Sequence, residues 1–144
     1  MSVSERAIAI GERVEAFVRD VVAPYETDPR RDHHGAPTDE LVDELKAKAR
    51  AAGVLTPHIL ADGDHLTQIE TAYVVQKTGL SPLGPVACNT MAPDEGNMYL
   101  LGHVGSHEQK ARFLAPMIDG TARSAFFMTE PAEDNGAGSD PSMM

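Results

Sequence analysis

Ser4-Glu5-Arg6-Ala7-Ile8-Ala9-Ile10-Gly11-Glu12-Arg13-Val14-Glu15-Ala16-Phe17-Val18-Arg19-Asp20-Val21-Val22 sets the architecture. Its apolar positions Ile10, Val14, Phe17, Val18 and Val21 recur at spacings of four, three, one and three, which aligns them on one face of an α-helix. Ser4 is placed to cap the first turn, and the helix is expected to run to about Val22, with Pro24 ending it. Tyr25 to Pro37, with Pro29, Gly35 and several charges, reads as a surface loop.

Working outward, the same grammar recurs. Thr38 caps a second helix carrying Leu41, Leu45 and Ala49 at every fourth position, with Asp39 and Glu40 near its positive end and Gly53 as its stop. Thr67 and Glu70 form a capping box that opens a third helix, which carries Ile69, Ala72, Tyr73 and Gln76 on one side and closes at Gly79. Val86 to Met91 is apolar and short, compatible with helix or loop. Pro93 and Asp94 start a helix bearing Met98, Leu100, Leu101 and Val104, stopped by Gly105. Ser106 and Gln109 box the start of a fifth, with Ala111, Phe113, Leu114 and Met117, which Pro116 should bend or interrupt. Past Gly120 the run Arg123-Ser124-Ala125-Phe126-Phe127-Met128-Thr129 is too short for a helix before Pro131 and reads as a strand. A strand needs partners for its backbone groups, and none is found in the sequence. The expected fold is therefore mainly α: a helical bundle domain of about five helices over 1–122, then the first strand and a loop of a β-domain over 123–144.

Composition narrows the function classes. Twelve Lys+Arg against 22 Asp+Glu leave a net charge of −10, with the basic residues scattered singly, which excludes a cationic surface for nucleic acid or anionic membrane. No stretch approaches the roughly 18 apolar residues of a membrane span, and Met1-Ser2-Val3-Ser4-Glu5 lacks the order of a secretion signal. The single cysteine, Cys88, forms no intrachain disulfide, which suits a reducing compartment such as the cytoplasm. It is expected to be a small buried hydrophobe rather than a nucleophile.

No metal site is expected. His103 and His107 are four apart, but Gly105 and Ser106 between them break the helix that would aim both rings at one ion. The histidines read instead as surface groups at helix ends and in loops. Met91, Met98, Met117 and Met128 at helical spacing read as core filling. The segment Thr129-Glu130-Pro131, followed by Gly136-Ala137-Gly138-Ser139-Asp140, couples a hydroxyl at a strand end to a glycine-rich turn. With no basic residue after Arg123, any phosphate or carbonyl held there must be met by amides and hydroxyls.

Phe126-Phe127-Met128-Thr129-Glu130-Pro131 resembles the Thr-Glu-Pro signature of the acyl-CoA dehydrogenases, and Gly136-Ala137-Gly138-Ser139-Asp140 resembles the Gly-Ser-Asp that follows it. Gly105-Ser106-His107-Glu108-Gln109-Lys110 is similar to that family's Gly-[Ser/Thr]-x-Glu-Gln-Lys helix start, and Ala92-Pro93-Asp94-Glu95-Gly96-Asn97-Met98 matches the pattern of one of its subgroups. The connection from Pro131 to Gly138 is longer and more acidic here than in the family. The resemblance implies an FAD enzyme that dehydrogenates an acyl-CoA thioester, with a helical N-terminal domain, a middle β-domain and a C-terminal helical domain. It further implies flavin contacts from Phe126, Met128, Thr129, Gly138 and Ser139, and substrate contacts from Ser139, Met91, Met98 and Tyr99. The catalytic carboxylate of the family lies in its C-terminal domain, so no acid here takes that role. The implied partners are an acyl-CoA, an electron acceptor and further copies of the subunit. The rival expectation is a non-catalytic helical module that binds a partner chain or an acyl ligand through an open apolar face.

Overall fold

The computed structural model describes residues 2–60 and 64–126. Six helices carry the fold: α1 (Glu5–Phe17), α2 (Asp39–Ala51), α3 (Gln68–Thr78), α4 (Gly84–Ala87), α5 (Asp94–Val104) and α6 (107–118). Among the described residues there is no β-ladder, only isolated antiparallel bridges between Arg31 and Pro37 and between Ile59 and His65.

Four of the predicted caps form. The Ser4 side chain accepts from Ala7 N–H, Thr38 from Leu41 N–H, and both Thr67/Glu70 and Ser106/Gln109 close reciprocal capping boxes. Each satisfies amides that the first turn of a helix cannot satisfy itself. Gly53 and Gly120, at φ of +67° and +71°, turn the chain in the left-handed region just past α2 and α6. The α1 face is the predicted one: Ile10, Val14, Phe17 and Val18 are buried and Val21 packs against them.

Two expectations need correction. Pro24 does not stop the first helical path, because α1 widens into a π-helical turn at Val18–Val22 and tightens into a 3₁₀ turn at Ala23–Thr27. The same device meets Pro116, where α6 runs as His107–Gln109, a π-helical turn Lys110–Leu114 and a final α-helical turn Ala115–Ile118. In both places the wide turn ends two residues before the proline and redirects the carbonyls that a ring without an N–H cannot serve.

The second correction concerns α3. Its buried residues are Thr71, Val74 and Thr78, whereas Ile69 is 42% exposed and only Tyr73 of the predicted side packs on the core. The two threonines are tolerated inside because their hydroxyls donate to the backbone carbonyls of Leu66 (3.3 Å) and Val75 (2.7 Å). Of the predicted strand only the start, through Phe126, is among the described residues; Phe127, Met128 and Thr129 lie outside them. The short apolar run before α5 resolves into α4 and a left-handed turn at Asn89 (φ +56°).

The core has two parts. The larger gathers α1, α2, α3 and α4 around Val14, Leu41, Leu45, Val54 and Val74, all fully buried. The smaller is Met98, Leu114 and Met117, between α5 and α6.

Candidate functional site at the α5–α6 corner

The first turn of α5, inside the Ala92–Met98 motif, holds the departing chain. Asp94 Oδ1 accepts hydrogen bonds from Ser124 N–H (2.6 Å) and Ser124 Oγ (2.7 Å), and Asn97 Nδ2 donates to the same Oγ (2.8 Å). The serine hydroxyl thus donates once and accepts once, which fixes its rotamer and the direction of the chain two residues before Phe126. Phe126 itself is 56% exposed. Beside this clamp lies an open apolar groove of about 410 Å³, lined by Asn97, Leu101, Phe113, Met117, Ala122 and Ser124 among others. Leu100 and Phe113 on its rim are about half exposed.

A buried polar knot seats α6 against the main body. Asn89 Nδ2 donates to Thr56 Oγ1 and to the Met117 carbonyl, both at 2.8 Å, and Thr56 Oγ1 donates to the Ile118 carbonyl at 2.6 Å. Both residues sit at positive φ, tolerable for Asn and unusual for a β-branched Thr. Lys46 adds a tie from α2: its ammonium donates to the Gly120 carbonyl (3.2 Å), and burial, followed by the like charge of Arg123, lowers its pKa.

The residues predicted to contact substrate occupy three settings. Met91 stands 55% exposed at a cavity of about 230 Å³ shared with Lys46, Asn89, Asp94 and Arg123. Met98 is core, as is Met117, in line with the core reading of the methionines; the exposed Met91 departs from it. Tyr99 faces the opposite side, edge-on to His65 (5.0 Å between centroids) and tilted over His103 (4.1 Å). Of the predicted flavin contacts only Phe126 is described; Met128, Thr129, Gly138 and Ser139 lie outside the described residues. Cys88 is the buried hydrophobe expected of it, its thiol pushed up to about 12 by burial.

The surface reading of the histidines holds for His33, His34, His103 and His107 and fails for two others. His58 is fully buried and His65 largely so. Burial, with a smaller contribution from His65, pushes His58 down to about 3, so its ring is neutral. Neither of its nitrogens has a hydrogen-bond partner, a deficit that costs on the order of 1–3 kcal/mol for each unsatisfied group. Sequence pattern missed this pair because neither residue lies on a periodic face. The only signal was that the two flank Asp62-Gly63-Asp64 in the sequence.

Residues 4–121 match the family described as "Acyl-CoA dehydrogenase, N-terminal domain". The chain is 38% identical over 140 residues to "Probable acyl-CoA dehydrogenase FadE2" of Mycobacterium tuberculosis, covering 91% of this chain and 33% of that protein. It is 36% identical over 132 residues to acyl-CoA dehydrogenase family member 10 of Mus musculus, covering 83% and 12% respectively. A solved structure from Mycobacterium abscessus, assigned as an acyl-CoA dehydrogenase, superposes with a TM-score of 0.70 at 36% identity over 100% of this chain and 38% of that one. The fold and the corner define an N-terminal helical domain, and the chain belongs to the acyl-CoA dehydrogenase family. It spans a third or less of the length of these curated relatives.

Proposed function

We propose that this chain supplies the helical wall of an FAD-dependent acyl-CoA dehydrogenase and acts joined to the segments that make up the rest of its relatives. The observation that carries this reading is the Asp94–Asn97 clamp on Ser124, which launches the chain into the Phe126–Pro131 motif from a fixed point beside an apolar groove. The residues present suit a flavin: Phe126 offers an exposed aromatic ring, and the groove presents Leu101, Phe113 and Met117 to an aromatic ring system with Arg112 and Arg123 beside them. Phe126, Met128, Thr129, Gly138 and Ser139 would hold the cofactor, which when bound supplies the hydride acceptor for the acyl β-carbon. Ser139 and Met91 face substrate in this reading, and Met98 and Tyr99 act through the packing of α5. The α-proton is removed by a carboxylate outside this chain. An electron acceptor, a homo-oligomer and a cytoplasmic setting belong to the same proposal.

The test is flavin retention. The chain alone is expected to purify colourless and to bind added FAD weakly, whereas the polypeptide continued through the β- and C-terminal domains should be yellow and oxidise acyl-CoA. In that longer polypeptide, Asp94→Ala and Thr129→Ala should each reduce bound flavin or turnover. A folded longer polypeptide that stays colourless would favour the non-catalytic helical module, with Leu100 and Phe113 as its binding face.

A further inference from the structure

We propose that His58, His65 and Glu95 form a divalent transition-metal site, best suited to zinc, beside Tyr99 and independent of the flavin reading. One ligand atom from each of the three residues lies within 4.8 Å of the other two. Among the described residues, the only buried side-chain nitrogens or oxygens without a hydrogen-bond partner are both ring nitrogens of His58 and Nε2 of His65. All three therefore fall in this one cluster. Two imidazoles and a carboxylate are a donor set that zinc accepts, with a fourth position left for water or a small ligand.

The tautomer of His65 is already set for coordination. Its Nδ1 lies 2.9 Å from the Leu66 carbonyl, an acceptor only, so that nitrogen carries the proton and Nε2 carries the lone pair. Nε2 faces Glu95 Oε1 at 3.9 Å, a separation too long for a hydrogen bond and wide enough for a bridging cation to draw together. A backbone carbonyl behind one ring nitrogen is the usual support of a metal-bound histidine. Zinc bonds of about 2.0–2.1 Å require donor separations of roughly 3.4 Å, so binding draws the three side chains closer together.

The ligands come from two elements. His58 and His65 are held together by Leu66 N–H donating to the His58 carbonyl (2.9 Å) and by the Ile59–His65 bridge, while Glu95 stands in the first turn of α5 between Asp94 and Asn97. An ion there cross-links the His58–His65 pair to α5. His65 also lines a cavity of about 410 Å³ with Asp64, Tyr99, His103 and Lys110.

The test uses the full chain, stripped with chelator and titrated with Zn²⁺ by calorimetry, with Co²⁺ as the spectroscopic probe. Expected are one ion per chain, a melting temperature raised by about 5–10 °C at saturation, and visible Co²⁺ bands of tetrahedral intensity. Glu95→Gln should weaken binding at least about tenfold, and His58→Phe should abolish the thermal shift while leaving the helical circular dichroism intact. If His58→Phe fails to fold, Glu95→Gln decides, since Glu95 is partly exposed and outside the core. Absence of stoichiometric binding, or binding unchanged in both variants and therefore seated on other histidines, would overturn the proposal.

Discussion

The body built by α1 to α4 and the corner built by α5 and α6 use similar residues and are held together differently. In the body, Val14, Leu41, Leu45, Val54 and Val74 are completely removed from solvent, and its exposed apolar residues, such as Ile8 and Leu80, are scattered singly. The corner buries Met98, Leu114 and Met117 but leaves Val104 72% exposed, with Leu100, Phe113 and Phe126 about half exposed. Its position depends instead on directional ties: Asn89 to Met117, Thr56 to Ile118, Lys46 to Gly120 and Asp94 to Ser124. Non-directional burial sets a compact shape, whereas hydrogen bonds between fixed groups set an orientation. The corner is thus oriented by directional ties while part of its apolar surface stays exposed.

The largest expected effect breaks that comparison most directly. Leu45→Ala should cost about 3–4 kcal/mol in urea unfolding of the chain, since it empties a fully buried site. Leu100→Ala should stay within about 0.5 kcal/mol, because the side chain is 55% exposed. Equal costs would mean that the corner is packed like the body.

Acid separates the two regions by pH window. His58 takes its proton in the unfolded chain near its ordinary value of 6.5 but only near 3 in the fold, so stability present above pH 6.5 is lost as pH falls towards 3. In metal-free protein this amounts to on the order of 3 kcal/mol between pH 7 and pH 4. His65 and Glu95 are the titratable groups clustered with the ring, so His58→Phe should remove this sensitivity while leaving that pair in place. The body responds at lower pH. Glu70, held down to about 2 by hydrogen bonds from Ser4 and Thr67, contributes stability that is complete above about 4.5 and is lost as pH falls through 2. A single acid transition centred below pH 4.5, unchanged in His58→Phe, would remove the distinction.

Asn89→Ala should cost about 2 kcal/mol, since it deletes two buried hydrogen bonds and leaves the Met117 carbonyl with one donor fewer. The loss should appear first as weakened protection of α6 amides in hydrogen exchange, with α1 to α3 less affected. Uniform loss across the chain would show that the knot belongs to the body's folding unit.

What the sequence disclosed divides along similar lines. Caps at Ser4, Thr38, Thr67 and Ser106 were legible because each is decided within four residues, and the α1 face because its neighbours are uniformly apolar. The buried face of α3 was not, since Thr71 and Thr78 count as polar until backbone carbonyls of their own segment satisfy them. The π-helical turns before Pro24 and Pro116 escape any reading that fixes the helical period. Within the candidate site, the Ala92–Met98 motif was recognisable as a string, but its use by Asp94 and Asn97 to grip Ser124 depends on a chain reversal of about thirty residues. His58 depends on tertiary placement alone.

The smallest effect sharpens the comparison furthest, because it separates empty space from used space. Gly96 lies in the first turn of α5 between Glu95 and Asn97, and a Cβ built there meets no atom within 4 Å. Gly96→Ala should therefore stabilise the chain by about 0.5 kcal/mol through helix propensity alone. In the polypeptide continued through the β- and C-terminal domains the same methyl has a second readout. If that space is occupied by substrate or by the continuing chain, the variant gains stability when tested as this chain and loses turnover or flavin retention when tested in the longer polypeptide. If it gains stability in both with turnover unchanged, this side of α5 faces solvent, and the functional surface of the corner narrows to the Asp94–Ser124 clamp and the groove beside Leu101 and Phe113.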